Sequence, residues 1–342
     1  MKMTRKKVKY SVTGMILVML PVLAFFISLS VGRYPVPLQN VFSILVSQFL
    51  SVHSDWTRIE EMVVINIRLP RVLLAMLVGS TLAVSGASFQ GLFRNPLVSS
   101  HILGVAAGAG FGAAISMLFF SDSAHLIQFF AFAFGIIAVL GACVIGKTRE
   151  GTSILMLVLG GIVVGALFTA LISLMTYMAD PEDELPAIVF WLMGSLANTS
   201  FDSVRIAAPS MLLGTGILLL LRWRINVLSL GEEEAQALGI NTERMRWLII
   251  VCATLATASA VSVSGIIGWV GLVIPHIGRM IVGSDHSILI PASASIGAVY
   301  LLFIDDIART ATAAEIPLGI LTAIIGAPFF IYLLKRRGSS WA

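Results

Sequence analysis

Long unbroken apolar runs alternate along this chain with short polar or glycine-rich joints. The runs fall near residues 12–31, 69–90, 99–120, 126–146, 153–177, 203–222, 245–264, 267–283, 287–308 and 316–334. Each is about 20 residues long, the length of helix that crosses ~30 Å of hydrocarbon. A barrel strand would instead alternate in and out over about 10 residues. The stretch from 245 to 283 is divided only by Ser264-Gly265 and Gly268. As one helix it would reach roughly 60 Å, twice a crossing, so the pattern predicts two. The expectation is an all-α integral membrane protein of about ten transmembrane helices, one domain over residues 1–342.

Composition removes the soluble alternative. The chain is 58% hydrophobic and 12% charged, against about a quarter charged in soluble domains. No water-soluble core hides that much apolar surface, so the remaining solvent is membrane lipid. There every peptide group must be paired internally. The net charge of +4 gives no nucleic-acid footprint, because the basic residues lie between apolar runs. With both termini inside, the inner segments are Lys2 to Lys9, the loop at Arg94, Lys147 with Arg149, Arg222 to Arg246, Arg279, and Lys335 to Arg337. They hold 16 of the 22 lysines and arginines. Outside remain Arg33, Arg58, Arg68, Arg71, Arg205 and Arg309. This asymmetry predicts an even number of crossings with cytosolic ends.

The basic start and the apolar run after it raise the question of a signal peptide. The run from Val12 to Val31 exceeds an h-region of about 7–15 residues, so an uncleaved first span is expected. Cys143 and Cys252 each stand alone in an apolar run and read as packing residues. Gly104-x-x-x-Gly108 and Gly161-x-x-x-Gly165 let helices approach closely, within one chain or at a pore or dimer face.

Gly141 to Thr148 fits G-x-x-x-x-G-K-[ST] letter for letter. A phosphate loop must join a strand to a helix, whereas these glycines close an apolar span, so no ATP hydrolysis is expected here. The polar stretch Gly231-Glu232-Glu233-Glu234-Ala235-Gln236-Ala237-Leu238-Gly239 predicts a short cytosolic helix. Gly239 is placed to end it in the left-handed conformation. Between two spans, such a helix reads as a docking element for a soluble partner.

Arg68 and Arg71 open a span in Arg-Leu-Pro-Arg, and Arg309 lies one helical turn after Asp305. Each alone reads as an anchor or a helix-spaced ion pair. Together, three arginines facing one compartment could clamp carboxylates of an external partner. His276, after Pro275, reads as structural, and Asn198-Thr199-Ser200 is a sequon of a kind common by chance. No nucleophile–base or metal-ligand constellation is visible, and no cofactor is expected on this chain.

Several segments together resemble the FecCD-type permeases that carry iron–siderophores, haem and vitamin B12. They are Arg68–Arg71, Gln90-Gly91-Leu92-Phe93-Arg94-Asn95-Pro96-Leu97, Leu103-Gly104-Val105-x-x-Gly108, Gly231 to Gly239, Gly268-Trp269-Val270-Gly271-Leu272-Val273-Ile274-Pro275-His276 with Arg279, Gly283-x-Asp285-His286 with Pro291, and Glu315 to Phe329. The resemblance covers the chain from about residue 60 onward. It implies a type II ABC importer permease in the bacterial cytoplasmic membrane, with a second permease subunit, identical or homologous, and a pathway between the two. Two cytosolic ATPase subunits would hold ATP and Mg, and an extracytoplasmic binding protein would deliver an iron–siderophore-type ligand. It also implies ATPase coupling through Gly231, Glu232, Glu233, Glu234, Ala235, Leu238 and Gly239 within 223–244. Binding-protein docking would fall to Arg68, Arg71 and Arg309. The run Glu232-Glu233-Glu234 is more acidic than the family pattern, leaving the register of the coupling contact open by one residue. The rival class is an ion-gradient-driven transporter, which would need intramembrane carboxylates at a midplane site. Asp305 and Asp306 lie too near the outer end for that.

Overall fold

The computed structural model describes residues 2–50, 55–120, 123–148 and 151–337. Its helices in chain order are α1 (Lys2–Ser30), α2 (Leu38–Ser47), α3 (Arg58–Met62), α4 (Leu69–Leu92), α5 (Val105–Phe119), α6 (Ala124–Gly146), α7 (Ile154–Met178) and α8 (Glu184–Leu192). They continue with α9 (Phe201–Leu220), α10 (Arg222–Leu228), α11 (Glu232–Ala237), α12 (Thr242–Ser264), α13 (Val270–Val282), α14 (His286–Thr310) and α15 (Leu318–Arg337). A π-helical turn, Val63–Arg68, joins α3 to α4. Two short strands, Lys147–Thr148 and Gly151–Thr152, pair antiparallel between α6 and α7. Arg149 and Glu150 lie outside the described residues.

Each of the ten expected runs coincides with a helix. Among the described residues six helices are long and apolar enough to cross a membrane, and the apolar parts of α1, α5, α13 and α15 are shorter. The shortfalls of α5 and α13 have a local cause. The run expected from residue 99 becomes helical only at Val105. Pro96 disfavours helix at Asn95, and Gly104 enters with φ 83°. The run expected from 267 waits until Val270, behind Gly265 at φ 65° and Trp269 at φ 67°. The pattern gave no sign of α2, α3 or α8, which are too short to register as runs. A Thr57–Glu60 capping box starts α3: Glu60 N–H donates to Thr57 Oγ1 at 3.2 Å and Thr57 N–H to Glu60 Oε2 at 2.7 Å.

The non-helical pieces are pinned by buried polar side chains. Gln90 Nε2 donates to the Val98 carbonyl at 3.0 Å, and His276 Nε2 donates to the Pro96 carbonyl at 2.9 Å. His276 is structural, as read. Gly141 to Gly146 are helical, within α6, so the phosphate-loop pattern has no loop. Cys143 and Cys252 are buried and unpaired with each other.

In lipid, helices associate through close packing at small residues rather than by hiding oily surface from water. A Cβ on Gly79 would lie 2.2 Å from the Gly297 carbonyl oxygen, and one on Gly297 would lie 2.4 Å from that of Gly79. The α4–α14 crossing is therefore a glycine-to-glycine contact. Gly108 meets Phe134 on α6, and Gly161 meets Ile102 before α5. Both glycine pairs noted in the sequence thus serve packing within the chain.

Replacing Gly79 with leucine should destabilise the fold by about 1–3 kcal/mol or more, the usual range for overpacking. Gly216→Ala, with nothing within 4 Å of its Cβ position, should not. Thermal unfolding in detergent checks the contrast.

Candidate functional site

The first candidate region lies where the C-termini of α1 and α14 meet the N-terminus of α4. Arg68, Arg71 and Arg309 are all here, and all are buried, at 4%, 6% and 6% exposure. Arg68 donates to the backbone carbonyls of Leu29, Ser30 and Tyr34, closing off the end of α1. Arg71 reaches Asp305 on α14, with Nε 2.9 Å from Oδ2 and Nη2 2.8 Å from Oδ1. It also pairs with Glu315 at 2.8 Å. Arg309 pairs with Asp306 and donates to the Ser28 hydroxyl at 2.9 Å, while Asp305 stands off at 3.9 Å. The spacing-based pairing of Arg309 with a carboxylate one turn back is present, but Asp306 is the nearer partner and Asp305 belongs chiefly to Arg71. The three guanidiniums are engaged by the chain itself. Arg58 and Arg33 are exposed at this end, and Arg33 donates to the carbonyls of Arg309 and Thr312.

Burial alone would raise the Glu315 carboxyl, but hydrogen bonds and charge from Arg71 outweigh it and hold the group below its ordinary value of 4.5. Its contribution to stability is therefore present above about pH 4.5 and lost as pH falls through the depressed value.

The second region is the turn between α9 and α12. Gly231 (φ 155°, ψ 163°) leads into α11, and Gly239 at φ 81° ends it as its spacing predicts. Ile240 N–H bonds the Ala235 carbonyl at 3.0 Å, the 6→1 bond of a glycine C-cap. Ala235 is fully buried, while Glu233 and Glu234 face solvent and Leu238 is 65% exposed. Glu232 turns inward to Arg246 at 3.0 Å. Asn226 on α10 accepts from the His286 N–H at 2.9 Å, tying the turn to α14. Of the seven residues singled out, Gly231, Ala235 and Gly239 shape the helix, Glu232 ties it down, and Glu233, Glu234 and Leu238 form its free face.

A third region was not found in the sequence. A cavity of 270 Å³ opens between α5, α6, α8, α9 and α12. Its lining includes Gln128, Trp191, Ser195, Asn198, Ser203 and Ser262, and no lining side chain is charged. Gln128 Nε2 approaches Ser203 Oγ at 3.4 Å, and its Oε1 has no partner among the described residues. Serines scattered over two apolar runs and the segment before one of them carry no linear signature. Among the described residues no group of three His, Cys, Asp or Glu could hold a metal ion.

These features are those of a polytopic membrane protein with an uncharged cleft at one end and a helical hairpin at the other. The chain belongs to the FecCD transport family, whose model matches residues 19–336. It is 43% identical to the molybdate import system permease protein of Haemophilus influenzae, over 94% of this chain and 96% of that one. It is 41% identical to a probable iron chelatin transport system permease protein of Helicobacter pylori, over 83% and 86%. A solved structure described as an inward-facing metal-chelate type ABC transporter superposes with a TM-score of 0.83 at 40% identity, covering 97% of this chain and 99% of that one. The protein is thus a multi-pass membrane permease of an ABC importer, a subunit type that is not itself catalytic.

Arg71→Met alone should leave the buried Asp305 with only the more distant Arg309, at a cost of about 3–5 kcal/mol, whereas adding Asp305→Leu should recover most of it. A double-mutant cycle by thermal unfolding measures this. Separately, Glu315→Gln should flatten the loss of melting temperature between about pH 6 and pH 3 relative to the parent.

Proposed function

We propose that this permease imports an iron–siderophore-type chelate across the bacterial cytoplasmic membrane. It does so in a complex with a second permease subunit, two ATPase subunits holding ATP and Mg, and an extracytoplasmic binding protein. The chain crosses ten times, with both ends cytosolic. Contacts between helix ends support that threading. The Arg71–Asp305 pair sets the start of α4 beside the end of α14, and Ser28–Arg309 sets the end of α1 there too. These three ends meet on one side only if α1 and α14 run in one direction and α4 in the other, as an even threading requires.

The observation that carries the substrate reading is the uncharged lining of the outer cleft. A chelated metal has its charge spread over a large polar envelope, and hydroxyl, amide and indole groups suit it. A bare ion leaving water would demand compensating charge. The 43% identity with a molybdate permease favours a second reading, a small oxyanion of the same importer class. Haem and cobalamin are further ligands of this permease class.

At the inner face the ATPase meets Glu233 and Glu234 on α11 and Leu238 just after it, together with the exposed Trp223 on α10. At the outer face, Arg68, Arg71 and Arg309 act in binding-protein docking by exchange. Glu315 is 28% exposed on its side chain, so an incoming carboxylate can replace it on Arg71 while Asp305 stays in place.

Deletion of the gene should abolish uptake of one labelled ligand and complementation should restore it. ⁵⁵Fe bound to a hydroxamate siderophore is the expected ligand. Restoration of ⁹⁹Mo-molybdate uptake alone would transfer the assignment to the oxyanion. In inverted and right-side-out vesicles the flux should need ATP and survive a protonophore. Collapse by the protonophore with ATP present would return the ion-gradient class.

A further inference from the structure

Helix α12 touches both ends of the molecule. It runs unbroken from Thr242 to Ser264, about 34 Å at 1.5 Å per residue. At its inner end Arg246 Nη2 lies 3.0 Å from each oxygen of the Glu232 carboxylate. The Thr242 hydroxyl donates to Glu232 Oε1 at 3.2 Å, and the Gln236 amide donates to Thr242 Oγ1 at 3.2 Å. Leu92 at the end of α4, Arg94 after it, Ile154 on α7 and Leu228 on α10 close around this cluster, leaving a void of 10 Å³. That is about the room one water needs. A helix of six residues has no stability of its own. The orientation of α11 is therefore inherited from the cluster, and through it from α12.

The outer end of α12 is fitted as tightly. The Ser264 carbonyl accepts from the Ser195 N–H at 2.8 Å. Gly265 follows at φ 65°, where a Cβ would lie 2.3 Å from the Trp191 carbonyl oxygen and 2.9 Å from the Gly194 Cα. The Gly194 carbonyl in turn accepts from Leu318 N–H at the start of α15, at 2.8 Å. Trp191, Ser195, Ser262, Ser264 and Gly265 all line the outer cleft. An axial shift or roll of α12 thus has to displace the end of α8, which forms one wall of that cleft.

We infer that α12 is the rod that carries movement of the cytosolic hairpin to the outer cleft, with Glu232 and Arg246 as positioning residues at its inner joint. The inference rests on the ATPase-docking reading of α11 given above. It also fixes the register of the acidic run. Glu232 serves the joint, and the partner meets Glu233, Glu234 and Leu238. Coupling between distant sites requires an element that both sites bias, and α12 is bonded to one and abuts the other.

The test uses the full complex in nanodiscs, with a bimane fluorophore on Asn198→Cys in the cleft and MgATP as the probe. The native cysteines are buried. In the parent, MgATP should shift the bimane emission. In Glu232→Gln and Arg246→Gln the ATPase should stay bound, while the shift falls about tenfold, within the usual range of site-to-site coupling. The charge swap Glu232→Arg with Arg246→Glu should restore about half of it or more. A full shift in either single variant overturns the inference. So does a swap that melts like the parent without recovering the signal. Should the swap fail to fold, Thr242→Val, which removes only the bridging hydroxyl, should show an intermediate loss, and an undiminished shift there is equally fatal. Leu238→Asp separates the underlying reading: it should release the ATPase. If the ATPase co-purifies undiminished, docking on α11 is wrong whatever the Glu232 variants do.

Discussion

The constraint on which this structure depends is that its solvent offers no hydrogen bonds. A peptide group facing hydrocarbon must find its partner within the chain, so the chain is helical almost wherever it faces outward. Large apolar side chains such as Val144 and Leu220 stay exposed at 76% and 78%, which would be a liability in water and is neutral in lipid. The same solvent removes the drive to bury oil. Adhesion between helices then comes from contact quality, and the glycine crossing of α4 with α14 supplies it.

Where the helices break, polar side chains take over the role of the missing helical bonds. The segment between α4 and α5 is held by Gln90 and His276, contributed by α4 and α13. Gly86 and Gly271 let those two helices meet so closely that a Cβ on Gly86 would fall 1.9 Å from the Gly271 carbonyl oxygen. Two motifs separated by some 180 residues in sequence are therefore one structural unit. A broken helix at membrane depth is tolerated because protein, not lipid, surrounds the break.

What the sequence reveals follows from the range of the interactions concerned. Helix positions follow local hydropathy and were legible, the starts of α1 and α5 excepted. Gly239 was legible because a helix stop is a local event. Arg68, Arg71 and Arg309 were read as a surface because their positions near the ends of apolar runs are local facts, whereas their partners are not. Asp305 lies 234 residues from Arg71 and Ser28 lies 281 from Arg309. No spacing rule connects them. The cleft escaped for the same reason, its polar groups coming from α6, α8, α9, α12 and the segment between α8 and α9. The Thr57–Glu60 capping box was the opposite case, a local signature that was present and passed over.

The two ends of the molecule are fastened differently, and that difference bears on which parts move. At the outer end, Arg71 and Asp305 are almost wholly out of solvent and joined by several charge-assisted bonds. Separating them would strand two charges in a low-dielectric interior. This fixes α4 and α14 to one another, with α1 joined through Ser28 and Arg309. At the inner end the corresponding pair, Glu232 with Arg246, has one partner nearly half exposed, so water can ease its rearrangement. The cleft wall at α8 is held by backbone bonds and glycine contacts and by no ion pair among the described residues. The frame of the permease is then α1, α4 and α14, and the mobile part is the α11–α12–α8 line. Movement enters where the charges are wet and emerges where the contacts are uncharged, which is the order an importer driven from the cytosol requires.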